Sequence, residues 1–377
     1  MYNKVTVVVG GQFGSEGKGH VTGYLANWSE NHSNFADTIV TRVGGPNAGH
    51  IVYGNCPTGS QGVYNPCVDC NEYGHPWRLR QIPVGAVTAP GSELIIGPGS
   101  EIDADVLWQE IDELNAAGYR ASYRLMIDRS ATIIEPKHKE AEAERELNAR
   151  IGSTAKGIGA ARADRIWRSA RVAGDSRDVT KDIQVLDTTK VYSKFNNTHV
   201  IIEGTQGYGL GLNTPNYPFT TSGNCRAVDF LAQAGISPWS NWIDDFEVVI
   251  AARTHPIRVA GNSGELAGET SWEQLGLPSE RTTVTHKIRR VGAWDSELVK
   301  EAARANGAPS KHVSLALTMA DHVIPSLSGV DTFATLADSE RDALRTLLRS
   351  CHEDAGAPIR YVGTSPVNMM SISDGDY

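Results

Sequence analysis

The chain has 377 residues, 40% of them hydrophobic, with 35 Lys and Arg against 44 Asp and Glu for a net charge of −9. That length supports a large core, and the acidic balance argues against direct nucleic-acid or membrane-surface binding, which needs a basic face. No apolar run approaches the ~20 residues of a membrane span, and the first residues lack a signal pattern, so a soluble, cytoplasmic chain is expected.

In chain order, Val5-Thr6-Val7-Val8-Val9 reads as a buried parallel strand, because β-branched residues fill it. Gly11-Gln12-Phe13-Gly14-Ser15-Glu16-Gly17-Lys18-Gly19 follows, then a helix from His20 to Trp28. Strand, glycine loop with lysine, and helix together present backbone N–H groups to phosphate oxygens. The spacing departs from the Walker pattern: Gln12 stands where the first glycine belongs, and Gly19 replaces the magnesium-binding Ser or Thr. A purely structural turn is the competing reading, but four glycines and a lysine favour a P-loop-like phosphate site.

Further strands are expected at Thr38–Val43, Glu93–Ile96, Leu125–Asp128, His199–Glu203, Phe246–Ala252 and Val313–Thr318. The three-to-four spacing of Val106, Leu107, Glu110, Ile111 and Leu114 predicts a helix over Ala104–Ala117, and Glu135–Ile151 reads as one polar, solvated helix. This alternation predicts an α/β fold with a large, mostly parallel central sheet flanked by helices. With no repeat, low-complexity tract or evident linker, the expectation is a single elaborated domain over 1–377; the charged stretch 169–194 is its softest point.

Four loops are richer in glycine and polar residues than packing requires. Gly44–His50 puts small residues and a titratable His50 directly after the second strand. Gly152–Gly159, followed by Arg162, Arg165, Arg168 and Arg171, offers a second phosphate site or merely a solvated basic helix. Glu203–Gly207 precedes Tyr217–Ser222, and Thr282–Arg290 offers hydroxyls and cations suited to a carboxylate. Together they suggest a site for several anionic ligands.

Five cysteines in a large acidic chain suggest reduced thiols rather than a disulfide framework. Cys67 and Cys70 have the two-residue gap of a zinc knuckle, and Cys56 and His75 could complete a tetrahedral structural Zn²⁺ site. An isolated C-x-x-C is more often without metal.

Taken in order, the motifs resemble those of adenylosuccinate synthetases over almost the whole chain. They are the Gly11–Gly19 loop, Asn47-Ala48-Gly49-His50, Glu203–Gly207, Tyr217–Ser222, Thr283-Val284-Thr285, Arg289-Arg290-Val291-Gly292 and Leu317-Thr318-Met319-Ala320-Asp321. The resemblance implies a ligase joining L-aspartate to C6 of a purine nucleotide through a 6-phosphoryl intermediate. It gives His50 the role of general acid and Gly49 that of a carbonyl ligand to Mg²⁺. Ser15, Glu16, Gly17, Lys18 and Gly19 would hold the triphosphate, with Asp321, Gly363 and Thr364 around its base. Asn47, Thr154, Gln206, Thr221 and Lys287 would grip the purine monophosphate. Arg168 would reach in from the other subunit of a homodimer. Thr283, Val284, Thr285, Lys287 and Arg289 would close over aspartate.

One departure bears on the substrate. The family places an aspartate where this chain has Ser15; that carboxylate takes the N1 proton of inosine monophosphate and also ligates Mg²⁺. A hydroxyl cannot be that base at neutral pH, and losing a general base typically removes ~10²–10⁴ in rate. A serine here is similar to bacteriophage members of the family that make 2-aminoadenylosuccinate. It leaves room for the 2-amino group of guanine and can accept a hydrogen bond from it. The implied reaction consumes dGMP, L-aspartate and ATP or dATP, in the host cytoplasm if the chain is viral; GTP as donor stays open. Glu16, a water on Mg²⁺ or Ser15 relaying to solvent are the candidate replacements for the base. An ordinary synthetase acting on inosine monophosphate and a catalytically dead nucleotide-binding paralogue are the alternatives.

Overall fold

The computed structural model describes residues 2–57, 68–282, 287–373 and 375–377. The valine-rich run forms strand β1 (Lys4–Gly10), with Val5, Val7, Val8 and Val9 fully buried. Alternation along β1 divides two cores: Val5, Val7 and Val9 join one apolar cluster, Val8 the other. The first cluster packs the helices Ala227–Ala234, Ser296–Ala305 and Asp338–Ala355 on one face of the sheet. The second packs α1 (Lys18–His32) and the Ala104–Ala116 helix on the other. A strand covered on both faces gains from every apolar residue, which is why these strands read as continuous hydrophobic runs.

Ten strands make the main sheet. Its order runs Met369–Ser371, Ile359–Gly363, Val313–Thr318, Asp245–Arg253, β1, Thr198–Glu203, β2 (Asp37–Arg42), Glu93–Ile96, Leu125–Asp128 and Gln184–Leu186. All neighbours pair in parallel except the first two, which are antiparallel. The expected strands are present to within a residue at either end. The edge strands at 184–186 and 369–371, the 359–363 strand beside the latter, and the hairpin β3 (His50–Gly54) and β4 (His75–Leu79), had no clear sequence signal. No helix among the described residues is long and apolar enough to cross a membrane.

The expected single helix over Glu135–Ile151 is two, Pro136–Glu144 and Leu147–Ile151, separated where Glu146 takes a φ of 53°. Nor is it simply a solvated face. Glu142 turns inward, nearly fully buried, and accepts the N–H groups of Gly157 and Gly159 at 2.7 Å each. His138, also buried, contacts Asp164 at 3.0 Å. Charged residues on an apparently polar helix thus anchor the loop and helix that follow it.

Candidate active site

Parallel sheets place ligand sites beyond the carboxyl ends of their strands, and the loop after β1 lies there, flanked by the 198–203 and 245–253 strands. The loop is built around Glu16. Its Oε1 accepts the N–H groups of Gln12 (2.9 Å) and Gly14 (2.7 Å), and its Oε2 accepts from Lys18 Nζ (2.7 Å), which also donates to Gly14 O (3.0 Å). Both Glu16 and Lys18 are about 99% buried. Both carboxylate oxygens are therefore engaged, which leaves Glu16 unsuited to replace a missing general base, while Lys18 keeps one of its three N–H donors for a phosphate.

Gln12 has its own purpose. Its side-chain amide donates to Arg253 O and accepts from Arg253 N, each at 3.0 Å, stitching the loop to the neighbouring strand. Gly17 caps α1 at a φ of 81°, and no side chain caps the helix N-terminus, so its first N–H groups suit an anion. Gly19 is required sterically: a Cβ there would lie 2.7 Å from the Cβ of His50. This second departure from the Walker pattern is what lets β3 meet the helix start.

His50 begins β3 and is 95% buried. Its Nδ1 lies 2.5 Å from Glu203 Oε1, and Arg42 binds the same carboxylate oxygen. Val84 N donates to Glu203 Oε2 at 2.9 Å, and Arg42 Nη2 donates to Ala48 O at 2.5 Å. Sheet register causes this meeting, because Arg42 ends β2 directly opposite Glu203 at the end of the adjacent strand. Burial, then Arg42, push the His50 pKa down to about 4 against the upward pull of Glu203. Burial opposes ionisation of Glu203 itself, yet Arg42 and His50 hold its carboxyl below the usual value. A neutral ring at pH 7 donates Nδ1–H to Glu203, which fixes the tautomer. The buried Nε2 has no hydrogen-bond partner among the described residues. An incoming phosphate would favour the protonated ring and make Nε2 a donor.

In front of the phosphate loop opens a cleft of about 370 Å³. It gathers eight of the sequence-predicted residues: Ser15, Asn47, Gly49, Thr154, Gln206, Thr221, Lys287 and Arg289. Ser15 Oγ accepts from Arg289 Nη1 at 2.5 Å, and Ser15 O accepts from Arg253 Nη1 at 3.2 Å. Arg253 is held in turn by both oxygens of Glu280. Arg258, which sequence reading missed, lines the cleft with its guanidinium 4.1 Å from the Phe13 ring centre. Burial and the neighbouring cation Arg290 lower its pKa to about 10. Lys287, Arg258 and Arg289 thus gather positive charge in one cleft, the environment of an anionic ligand.

Other predicted residues lie outside the cleft lining. Gly363 ends its strand beside Thr318, whose hydroxyl donates to Glu16 O at 2.8 Å, so the 363–365 turn flanks the phosphate loop from the far side. Thr364 is fully buried and donates to Val330 O. Asp321 follows the Val313–Thr318 strand, half-buried, and burial raises its pKa. Arg168 is exposed at the end of the Ile158–Trp167 helix with a φ of 62°. Thr283, Val284, Thr285 and Cys67 lie outside the described residues.

Phosphate loop, carboxylate-held histidine and cation-rich cleft define a nucleotide-binding α/β protein equipped for a second anionic ligand. The family model for adenylosuccinate synthetase matches residues 7–184 and 170–332. The adenylosuccinate synthetase of Pyrococcus sp. (strain ST700) is 33% identical over 370 residues, 96% of this chain and 95% of that protein. That of Methanococcus vannielii is 33% identical over 372 residues, 97% and 98% of the two chains. Among solved structures, the cyanophage S-2L succinoaminodeoxyadenylate synthetase (PurZ), bound to dGMP and to dATP as energy donor, superposes with a TM-score of 0.76 at 26% identity. It covers 98% of this chain and 96% of its own. The fully ligated Plasmodium falciparum adenylosuccinate synthetase has the same fold, with a TM-score of 0.76 at 18% identity over 98% and 100% of the chains. The chain belongs to the adenylosuccinate synthetase family, nucleotide-binding C–N ligases of purine biosynthesis that depend on Mg²⁺.

Proposed function

We propose that this chain is a 2-aminoadenylosuccinate synthetase, joining L-aspartate to C6 of dGMP while ATP or dATP becomes the diphosphate and inorganic phosphate. The observation that carries the reading is Ser15, a hydroxyl lining the cleft where the family has a carboxylate. One lone pair of Oγ accepts from Arg289, which leaves the other for the 2-amino group of guanine. The cyanophage structure, with dGMP as one of its ligands, supports the same choice. The archaeal relatives, ordinary synthetases by name, favour inosine monophosphate as the second reading.

On this reading Asn47, Thr154, Gln206, Thr221 and Lys287 hold the acceptor nucleotide, and Arg258 and Arg289 orient the carboxylates of aspartate. The donor's γ-phosphoryl moves to O6 of the purine, releasing the nucleoside diphosphate, as N1 gives its proton to water in the open cleft. The aspartate amine then attacks C6, the C6–O bond breaks, and phosphate leaves. His50, fixed by Glu203, shares a proton through Nε2 with the transferring phosphoryl group. Mg²⁺ would neutralise charge on the phosphates. Of this chain's residues, the carbonyl of Gly49 is its candidate ligand; the hydroxyl of Ser15, the other expected one, is on this reading taken by Arg289 and the 2-amino group. That sparse donor set fits an ion that keeps several waters and binds mainly through substrate phosphates. We place the exposed Arg168 in the partner's cleft of a homodimer, and Asp321, Gly363 and Thr364 around the donor base. A soluble, cytoplasmic enzyme goes with this reading.

The test is aspartate-dependent phosphate release from ATP and from dATP, with dGMP, GMP and inosine monophosphate compared. dGMP is expected to give the highest kcat/KM, and Ser15→Asp to move the preference towards inosine monophosphate. A wild-type preference for inosine monophosphate would overturn the assignment.

A further inference from the structure

Far from the phosphate end of the β3–β4 hairpin lies a cluster that the ligase reaction does not use. Cys56, Cys70 and His75 each offer a ligand atom, and these three atoms lie within 4.8 Å of one another. Cys70 Sγ and His75 Nδ1 are 3.8 Å apart. A tetrahedral zinc, about 2.3 Å from sulfur and about 2.0–2.1 Å from nitrogen, sets neighbouring donor atoms about 3.5–3.8 Å apart. The spacing already present is therefore within about 1 Å of that of three ligands of a loaded site, the fourth tetrahedral position lying beyond these three.

Main-chain structure, not chance approach of long side chains, brings the three together. In the antiparallel register Gly54 faces His75, so Cys56 leaves the end of β3 as His75 enters β4. Asn71 and Gly74 exchange N–H···O bonds at 3.1 and 3.0 Å across a tight turn that returns Cys70 to the hairpin. Gly74 takes a φ of 106°, and a Cβ there would lie 2.9 Å from Gly54 O, so the turn depends on glycine. The His75 ring is braced edge-on against Trp77, centroids 4.9 Å apart. All three donors are partly exposed, which leaves a path for an ion.

We infer that Cys56, Cys70 and His75 bind a structural zinc ion that clamps the open end of the β3–β4 hairpin. Two thiolates and an imidazole select zinc over magnesium, whose preferred ligands are oxygens. The clamp acts at a distance on the reaction centre, because His50 starts the same β3 that the metal ties down at its other end. Cys67 lies outside the described residues, and the inference stands on the other three ligands.

The test uses full-length protein purified without chelator and analysed for metal. About one zinc per chain is expected, with Cys70→Ser and His75→Ala each losing it. Titrating Co²⁺ into metal-stripped wild type should give the thiolate charge-transfer band and visible transitions of a tetrahedral site. Should the variants not fold, a chromogenic chelator added to wild type must release zinc and expose reactive thiols together. Wild type that neither retains zinc nor develops the cobalt bands overturns the inference. So does a Cys56–Cys70 disulfide in protein purified anaerobically, or zinc release that exposes no thiol.

Discussion

Two parts of the site treat charge in opposite ways. Behind the reaction centre, Arg42, Glu203 and His50 are buried and joined through one carboxylate, which serves a guanidinium, an imidazole and the Val84 N–H. In the cleft, Lys287, Arg258 and Arg289 are gathered around open space, and Arg258 has another cation, Arg290, as its charged influence. The first region holds its geometry without ligand and sets the direction of Nε2 in advance, leaving that nitrogen for the phosphate. The second is completed by what binds. Chemistry that must recur identically is preorganised, whereas specificity is left to cations that are held by neutral oxygens and meet their counter-charges only when the substrates bind.

Substitutions in the buried region should show the larger effects. His50→Ala is expected to lower kcat by about 10²–10⁴ while nucleotide binding persists; phosphate release and equilibrium titration separate the two. An unchanged rate would take His50 out of the chemistry. Glu203→Gln should cost about 10–100-fold in rate by freeing the imidazole. It should also cost about 3–5 kcal/mol of stability, because Arg42 is left buried without its carboxylate. If only stability falls, Glu203 is a structural anchor and the contrast between the regions is weaker than drawn.

In the cleft, Arg289→Lys should raise the KM for aspartate, consistent with about 1.5–3 kcal/mol for a hydrogen bond to a charged group, and disturb kcat less. A rise in the acceptor-nucleotide KM alone would assign Arg289 to the other ligand. The least specific effect concerns acid stability. Burial first, with Arg42 second, gives His50 a folded pKa of about 4, and burial does the same for His20. Unfolded histidine takes up its proton near pH 6.5, so between there and about pH 4 the unfolded chain binds more protons. Stability supplied by these rings is full above pH 6.5 and is lost as pH falls through that window. Thermal unfolding from pH 7.5 to 4.5 should show this slope, shallower in His50→Asn.

Much of the scaffold was legible in the sequence. Fully covered parallel strands produce apolar runs that periodicity detects, as at Val5–Val9 and Val313–Thr318, and a lysine-bearing glycine loop between strand and helix suits little besides phosphate. Short edge strands such as 184–186 offered too few residues for any pattern, and β3 and β4 are half-exposed. The cleft residues were found through motif order. What those motifs could not disclose was the use of the charges: Glu16 looked available for proton transfer and is locked into its own loop, and Glu142 looked solvated and holds Gly157 and Gly159.

The sequence by itself determined the central strands, the phosphate loop and the serine that distinguishes this chain, because each is a local property of spacing or residue chemistry. Only the tertiary structure decided that Glu203 meets His50 and Arg42, that Gln12 binds the Arg253 backbone, and that Arg258 faces the cleft. Those partners are 153, 161 and 241 residues apart for the first three contacts, and it is strand order and register that bring them within hydrogen-bonding distance.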